Sequence, residues 1–337
     1  MKKIKVAVAG ASGIVGEKII ELLENENFVS NDISLFSSKK NAGKFLNFRN
    51  RAVRLKEPSY SSFKKADLVF FATDEKISKK LVPCAINGGA TVIDNSSAFR
   101  MDENVPLVVP EINFYSTKNA RLIANPNCIT AQCALPLFVL QQNFGLECVT
   151  VTTYQSVSGS GKAGLKELFE NSARLDDVTA KNSVFGCDIK LNCIPKIGDI
   201  GDDGYSIEEK KIINETRKIL NDENLKITAF CVRVPVPYSH GAFISAKLKN
   251  KFTLDDVVKT LNNFSGITVK KPSDNHVCGK VFCPINSDAT GNNDVFVGRF
   301  RINSLDTQTV EFFVVADNLL RGAAANAVLI AHKLFGK

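Results

Sequence analysis

Residues 6–16 read VAVAGASGIVG. Four small apolar residues lead into Gly10, Gly13 and Gly16, and Ile14 begins a run with further apolar residues at Ile19, Leu22 and Leu23. This reads as a buried strand, a glycine turn and a helix over 14–24. In that context glycine lets the backbone approach a pyrophosphate at the positive helix end. A tight turn that needs glycine only for its geometry is the other reading. If a dinucleotide sits here, Gly10, Ser12, Gly13, Ile14 and Val15 are its candidate contacts.

Working outward, DISLFSS (32–38), ADLVFFAT (66–73), ATVIDNSS (90–97) and RLIANPN (121–127) read as further strands, with a helix over 76–87 ending at Gly88-Gly89. Unbroken apolar runs of this kind belong to parallel sheets buried on both faces. Strand–helix alternation after a glycine turn predicts a doubly wound α/β domain. After residue 128 the pattern changes. LECVTVTTYQSVSG, ITAFCVRVPVP, GAFISAKLK, NDVFVGRFRIN and QTVEFFVVAD alternate as antiparallel strands with one wet face do, and helices are expected over 207–220 and 254–263. The fold class expected is α/β: a Rossmann-type NADP-binding domain, 1–131 with 317–337, plus an α+β catalytic and dimerisation domain with a mixed sheet, 132–316. The Ala-rich end of the chain reads as a helix returning to the first domain.

The 337 residues are 44% hydrophobic and 23% charged with a net charge of +8, an ordinary globular composition without a basic stripe. That gives no support to nucleic-acid binding. No apolar run reaches the ~18 residues a membrane span needs. The opening residues read as a first strand rather than a signal peptide. Nine cysteines, without a CxxC pair, are expected to be reduced thiols in a cytoplasmic protein. His276 with Cys278 and Cys283 is a weak candidate for a soft metal, and no metal is expected.

The end of the second strand decides the cofactor's second ribose. It carries Ser37, Ser38, Lys39, Lys40 and Asn41 and no carboxylate. Hydroxyls and cations suit a 2′-phosphate, hence NADP, though a solvated basic loop would read the same way. Cys128 follows Asn-Pro-Asn and opens an apolar run. Asn127 suits a helix N-cap, so Cys128 falls in the first turn, where backbone N–H groups stabilise a thiolate or an oxyanion. Cys133 lies deeper on the same helix. Of three histidines, His332 reads as a surface residue, and His240 stands at a strand connection seven residues after Arg233.

Together, GASGIVG, NPNC, TYQSVSGSGKAG, EEKKIINETRKI, VRVPVPYSH and DNLLRGAAANA resemble the bacterial aspartate-semialdehyde dehydrogenases, in family order from residue 10 to residue 326. The resemblance implies NADPH-dependent reductive dephosphorylation of L-aspartyl 4-phosphate to L-aspartate 4-semialdehyde and phosphate. It implies a place in lysine/diaminopimelate, threonine, methionine and isoleucine biosynthesis. By the same resemblance Cys128 is the thioester nucleophile, His240 the acid/base, and Gln155 holds the substrate. Arg233 meets its carboxylate and Glu208 its ammonium. Lys211, Arg100 and Asn127 meet the phosphate. Ser38, Lys40, Asn41, Ser158, Gly159 and Asn318 meet the cofactor. A homodimer joined through the second domain's sheet is implied, supported by apolar strands such as VEFFVVAD. Two departures stand out: Ile129 follows the cysteine where Ser or Thr is usual, and Lys40-Asn41 replaces a usual Arg-Ser pair. A related acyl-phosphate reductase, a thiol hydrolase and a non-catalytic dinucleotide sensor are the rival readings.

Overall fold

The computed structural model describes residues 3–170, 183–269 and 281–336. The chain divides into two compact units. One comprises Met1–Asn127 and Ala323–Lys337, the other Cys128–Gly322. The breaks lie a few residues from 131 and 317.

The first unit holds β1 (Val6–Ala9), α1 (Ile14–Leu23), β2 (Ser34–Phe36), β3 (Phe45–Phe48), β4 (Arg51–Arg54), β5 (Leu68–Phe71), α2 (Glu75–Asn87), β6 (Thr91–Asp94), α3 (Pro110–Asn113) and β7 (Leu122–Ala124), with the C-terminal helix Ala325–Phe335. Five strands form a parallel sheet in the order β2-β1-β5-β6-β7. Period-two alternation splits each strand between two cores. Val6, Val8, Leu68, Phe70 and Ile93 face α1 and the C-terminal helix. Ala7, Ala9, Val69, Phe71 and Val92 face α2. Both faces are therefore dry, which is why these strands read as continuous apolar runs. The strand order reverses at β1, placing the glycine turn at the topological switch point, where doubly wound folds bind ligands.

The β3–β4 pair, like the short helix α3, was not expected from the sequence. β3 and β4 form an antiparallel hairpin, Phe45↔Arg54 to Phe48↔Arg51. Arg49 and Asn50 take φ of 49° and 61° at its turn, the left-handed pair that a two-residue hairpin turn requires. The Arg49 guanidinium donates to the carbonyls of Glu24, Glu26 and Val29 and so closes the C-terminal end of α1.

The second unit holds α4 (Cys128–Phe144), β8 (Leu146–Gln155), α5 (Gly161–Glu170), α6 (Ile207–Leu220), β9 (Lys226–Arg233), β10 (His240–Leu248), α7 (Leu254–Asn262), β11 (Ile267–Thr268), α8 (Asn286–Ala289), β12 (Val295–Ile302) and β13 (Thr309–Ala316). The sheet order is β11-β12-β13-β10-β8-β9. α4 is apolar nearly all round and is packed between the sheet and helices α6 and α7, as such a helix must be. α6 carries a capping box, Ser206 with Glu209. The sheet is mixed, as expected: β10 pairs antiparallel with β8 and β13, and β12 antiparallel with β13, while β9 runs parallel to β8 and β11 parallel to β12. The alternation of β9 taken alone had suggested an antiparallel neighbour. Parallel pairing puts Gln155 opposite Arg233 at the same end of the sheet.

The expectation of reduced thiols holds for seven cysteines, which are free, but Cys283 is disulfide-bonded. His276 and Cys278 lie outside the described residues. Among the described residues no group of metal-ligating side chains occurs, and no helix is long and apolar enough to cross a membrane.

Candidate active site

In the second unit, three strand ends and one helix start converge. Cys128 is the first residue of α4 and is partly exposed. A Cβ on Gly322 would lie 2.8 Å from the Cys128 Cβ, so only glycine fits against the thiol's backbone there. Cys133 is fully buried, and burial pushes its thiol well above the ordinary range. Burial therefore disfavours its thiolate. The two thiols thus differ in place, Cys128 at the start of α4 and Cys133 inside it.

Arg233 closes β9 and is buried. Its Nη1 donates to the Ser156 carbonyl at 2.6 Å, and its guanidinium lies 5.9 Å from the centre of the Phe185 ring. Burial lowers its pKa, and the Cys128 thiolate and then the Glu208 carboxylate act against that shift. Cys128, Arg233 and Glu208 thus share one electrostatic environment. Glu208 continues the site along α6: Gln155 Nε2 donates to its Oε1 at 3.1 Å, and Lys211 Nζ lies 3.4 Å from its Oε2. The i,i+3 spacing read from the sequence does place Glu208 and Lys211 side by side.

His240 opens β10 and is fully buried. The backbone N–H of Ser156 donates to its Nδ1 at 3.0 Å, and Ser156 Oγ lies 3.0 Å from the same atom. Because Nδ1 accepts from an N–H, the neutral ring carries its proton on Nε2. That Nε2 is buried without a hydrogen-bond partner among the described residues. Burial, and then the Arg233 charge, hold the imidazole pKa well below its ordinary 6.5. His240 is therefore a neutral donor. A Cβ on Gly159 would lie 2.9 Å from Arg233 Nη1 and 3.4 Å from His240 Nε2. One small volume beside Gly159 is thus bounded by a guanidinium and by an imidazole N–H.

Asn318 ties this arrangement together. Its Oδ1 accepts from Ser156 Oγ at 3.2 Å, Ser158 Oγ at 3.1 Å and the Ser239 N–H at 3.0 Å. Ser239 holds φ of 65°, a strained value for a residue with a side chain. Asn286 Nδ2 donates to the Ser239 carbonyl at 2.7 Å, and Gln132 Nε2 to the His240 carbonyl at 2.9 Å. Sequence reasoning named Ser158, Gly159 and Asn318 for the cofactor. It missed Ser156, Ser239, Asn286 and Gln132, which aim the imidazole. The only signal was the run of hydroxyls in YQSVSGSG and YSHG.

In the first unit, the three glycines differ. Gly10 takes φ of 83°, and a Cβ there would meet the Ala72 carbonyl oxygen at 2.1 Å. One at Gly16 would meet the Gly10 oxygen at 2.2 Å, while Gly13 meets nothing closer than 3.2 Å. Gly10 and Gly16 are required by packing, and Gly13 is the open one at the start of α1. Ser12 Oγ is hydrogen-bonded to Ser37 Oγ and accepts from Asn41 Nδ2 at 3.0 Å, joining the glycine turn to the end of β2. Ile14 and Val15 start α1, and Ser38, Lys39 and Lys40 are exposed on the turn after β2. No carboxylate stands in residues 37–41. Arg100 is buried and donates to the Asn95 and Asn125 carbonyls at 2.7 and 2.9 Å. Asn127, also buried, precedes α4.

Comparisons with known proteins show the family to which both units belong. Residues 5–120 match a family model described as the NAD binding domain of semialdehyde dehydrogenase, and residues 137–321 match its dimerisation domain. The aspartate-semialdehyde dehydrogenase of Bacillus subtilis is 38% identical over 341 residues, covering 98% of this chain and 97% of that protein. Aspartate-semialdehyde dehydrogenase 2 of Vibrio cholerae is 37% identical, covering 99% and 98%. A crystal structure of aspartate semialdehyde dehydrogenase II from Vibrio cholerae, complexed with ASA, matches with a TM-score of 0.92 at 36% identity, covering 99% of this chain and 98% of that one. The Candida albicans enzyme with NADP matches at a TM-score of 0.75 and 25% identity, covering 99% and 98%.

Proposed function

The chain belongs to the aspartate-semialdehyde dehydrogenases, a family of oxidoreductases, and from that premise we propose the reaction and the residues that carry it. The reaction is reductive dephosphorylation of L-aspartyl 4-phosphate by NADPH, giving L-aspartate 4-semialdehyde and phosphate. The observation that carries this reading is the volume beside Gly159, bounded by Arg233 and His240 Nε2, in the same electrostatic environment as the thiol that starts α4.

The Cys128 thiolate attacks the acyl carbon of the acyl phosphate. The carbon–oxygen bond to phosphate breaks, phosphate leaves with the electron pair, and a thioester remains. When bound, the dinucleotide supplies a hydride equivalent to the thioester carbon. His240, neutral and protonated on Nε2, donates a hydrogen bond to the carbonyl oxygen as it gains charge, the role a neutral imidazole with a depressed pKa can fill. Collapse of the tetrahedral species then releases aldehyde and thiolate. On this reading His240 is an electrophilic donor rather than the base that ionises Cys128. The thiolate is stabilised instead by the α4 terminus and by Arg233.

Arg233 holds the α-carboxylate and Glu208 the α-ammonium, with Gln155 between Glu208 and the thioacyl group. The phosphate roles of Lys211, Arg100 and Asn127 rest on the resemblance. NADP(H) is preferred because Ser37, Ser38, Lys39, Lys40 and Asn41 follow β2 in place of a carboxylate. Ser158, Gly159 and Asn318 belong to the nicotinamide end by resemblance. The enzyme works as a cytoplasmic homodimer joined through the β8–β13 sheet, in keeping with the matched dimerisation domain, and feeds lysine/diaminopimelate, threonine, methionine and isoleucine synthesis.

The test is absorbance of the reduced nicotinamide with aspartate semialdehyde, phosphate and NADP⁺. Phosphate-dependent reduction of NADP⁺ is the expected result. Reduction that is indifferent to phosphate, or equally efficient with NAD⁺, would contradict the acyl-phosphate or the cofactor part respectively.

A further inference from the structure

We infer that Arg54, reaching from the β3–β4 hairpin, is the residue that reads the 2′-phosphate of the dinucleotide, supplying the fork that Lys40 cannot. The inference rests on the NADP(H) reading above and concerns which side chain enforces it.

Lys39 and Lys40 offer only point charges on flexible stems. They attract a dianion but do not recognise its shape, whereas a guanidinium binds phosphate oxygens in pairs. The hairpin brings such a group to the right place. Arg54 is the last residue of β4, and the chain beyond it is joined to the C-terminal end of β2. The Lys56 N–H donates to the Leu35 carbonyl at 3.0 Å, and the Ser37 N–H donates to the Lys56 carbonyl at 2.9 Å. The neighbouring Leu55 is buried in the core, so the backbone from which Arg54 projects is fixed. In a doubly wound fold the end of the second strand is where the adenosine ribose lies.

The Arg54 side chain lies along that turn. One guanidinium nitrogen is 3.9 Å from the position a Cβ would take on Gly43, a residue with φ of 89°. The Gly43 N–H donates to the Leu55 carbonyl at 2.9 Å, and the Leu55 N–H to the Lys44 carbonyl at 2.8 Å, fixing turn and hairpin to each other. The turn is also closed on the glycine loop. Asn41 Nδ2 donates to Ser12 Oγ at 3.0 Å, while Lys44 Nζ donates to Asn41 Oδ1 at 2.8 Å. Lys44 is thereby engaged. Arg54, Lys39 and Lys40 are exposed, and among the described residues no carboxylate pairs with them. Three cations thus surround one turn, and only one of them is a fork.

The test is calorimetric titration of the full-length protein with adenosine 2′,5′-bisphosphate and with adenosine 5′-monophosphate, in the native protein, R54Q, R54K and K40Q. The native protein is expected to prefer the bisphosphate. R54Q is expected to lose about tenfold or more of that preference, the size of one charge-assisted bidentate contact. Its affinity for the monophosphate and its thermal midpoint stay unchanged, and R54K keeps part of the preference. Full preference retained in R54Q but abolished in K40Q would overturn the role of Arg54 and leave the NADP(H) reading standing. Equal loss of both ligands in R54Q would also count against it. A native protein that binds both ligands equally would overturn the NADP(H) reading, and the role of Arg54 with it.

Discussion

The backbone N–H of Ser156 donates to Nδ1 of His240 at 3.0 Å. A backbone amide has no lone pair to accept with, so this contact excludes the tautomer protonated on Nδ1. Replacing His240 by Asn, which keeps a donor but loses its reach, is expected to lower kcat by about 10²–10³-fold, the cost of losing an oxyanion donor. The thioester should still form. Rapid-quench measurement of acyl-enzyme in H240N checks this, and failure to acylate would return His240 to the role of base.

The same burial sets a pH dependence. The folded-state pKa of His240 lies well below 6.5, because of burial first and the Arg233 charge second. Below pH 6.5 the unfolded chain therefore binds a proton that the folded one refuses. By linkage, stability is full above about pH 6.5 and falls as pH drops below it. Denaturant midpoints between pH 8 and 5.5 should decline on the acid side, and less steeply in H240Q. The pH profile of kcat/KM should show no imidazole inflection near 6.5.

Gly159→Ala places a methyl 2.9 Å from Arg233 Nη1 and 3.4 Å from His240 Nε2. Gly159 itself is exposed, so folding should be little affected. Displacing a charge-paired fork costs on the order of 1.5–3 kcal/mol, which predicts a KM for the semialdehyde raised at least tenfold. Arg233→Lys should act in the same direction, because an ammonium cannot hold both the Ser156 carbonyl and a carboxylate in the same plane. Steady-state kinetics of both variants, with melting curves as controls, check this.

Gly16→Ala is expected to destabilise the first unit rather than to alter cofactor contacts, since its Cβ would fall 2.2 Å from the Gly10 carbonyl oxygen. Overpacking of this kind costs about 1–3 kcal/mol. Gly13→Ala meets nothing closer than 3.2 Å and should instead weaken dinucleotide binding at nearly normal stability. Thermal denaturation and dinucleotide titration separate the two.

Much of this was legible in the sequence because the signals were local. VAVAGASGIVG is a strand, a turn and a helix in eleven residues, and the structure places β1 and α1 around it. Cys128 stood out through its place after Asn127, and α4 does begin there. The β3–β4 hairpin was missed because its turn, Arg49-Asn50, uses left-handed conformers without a glycine. The direction of β9 was missed because alternation reports burial of one face and says nothing of the neighbour's direction. Ser156, Ser239 and Gln132 were missed for a related reason. They act on His240 through backbone groups and through a shared acceptor on Asn318, and a backbone contact leaves no residue-type signature. The disulfide at Cys283 was missed because spacing alone does not reveal spatial pairing.

The central claim is that Cys128, and not the deeper Cys133, carries the acyl group. Intact-protein mass spectrometry with peptide mapping, after incubation with the acyl phosphate in the absence of a nicotinamide, tests it directly. One aspartyl adduct on the peptide containing Cys128, absent in Cys128→Ala and retained in Cys133→Ala, is the predicted result. An adduct elsewhere, or a Cys128→Ala protein that still turns over, would contradict it.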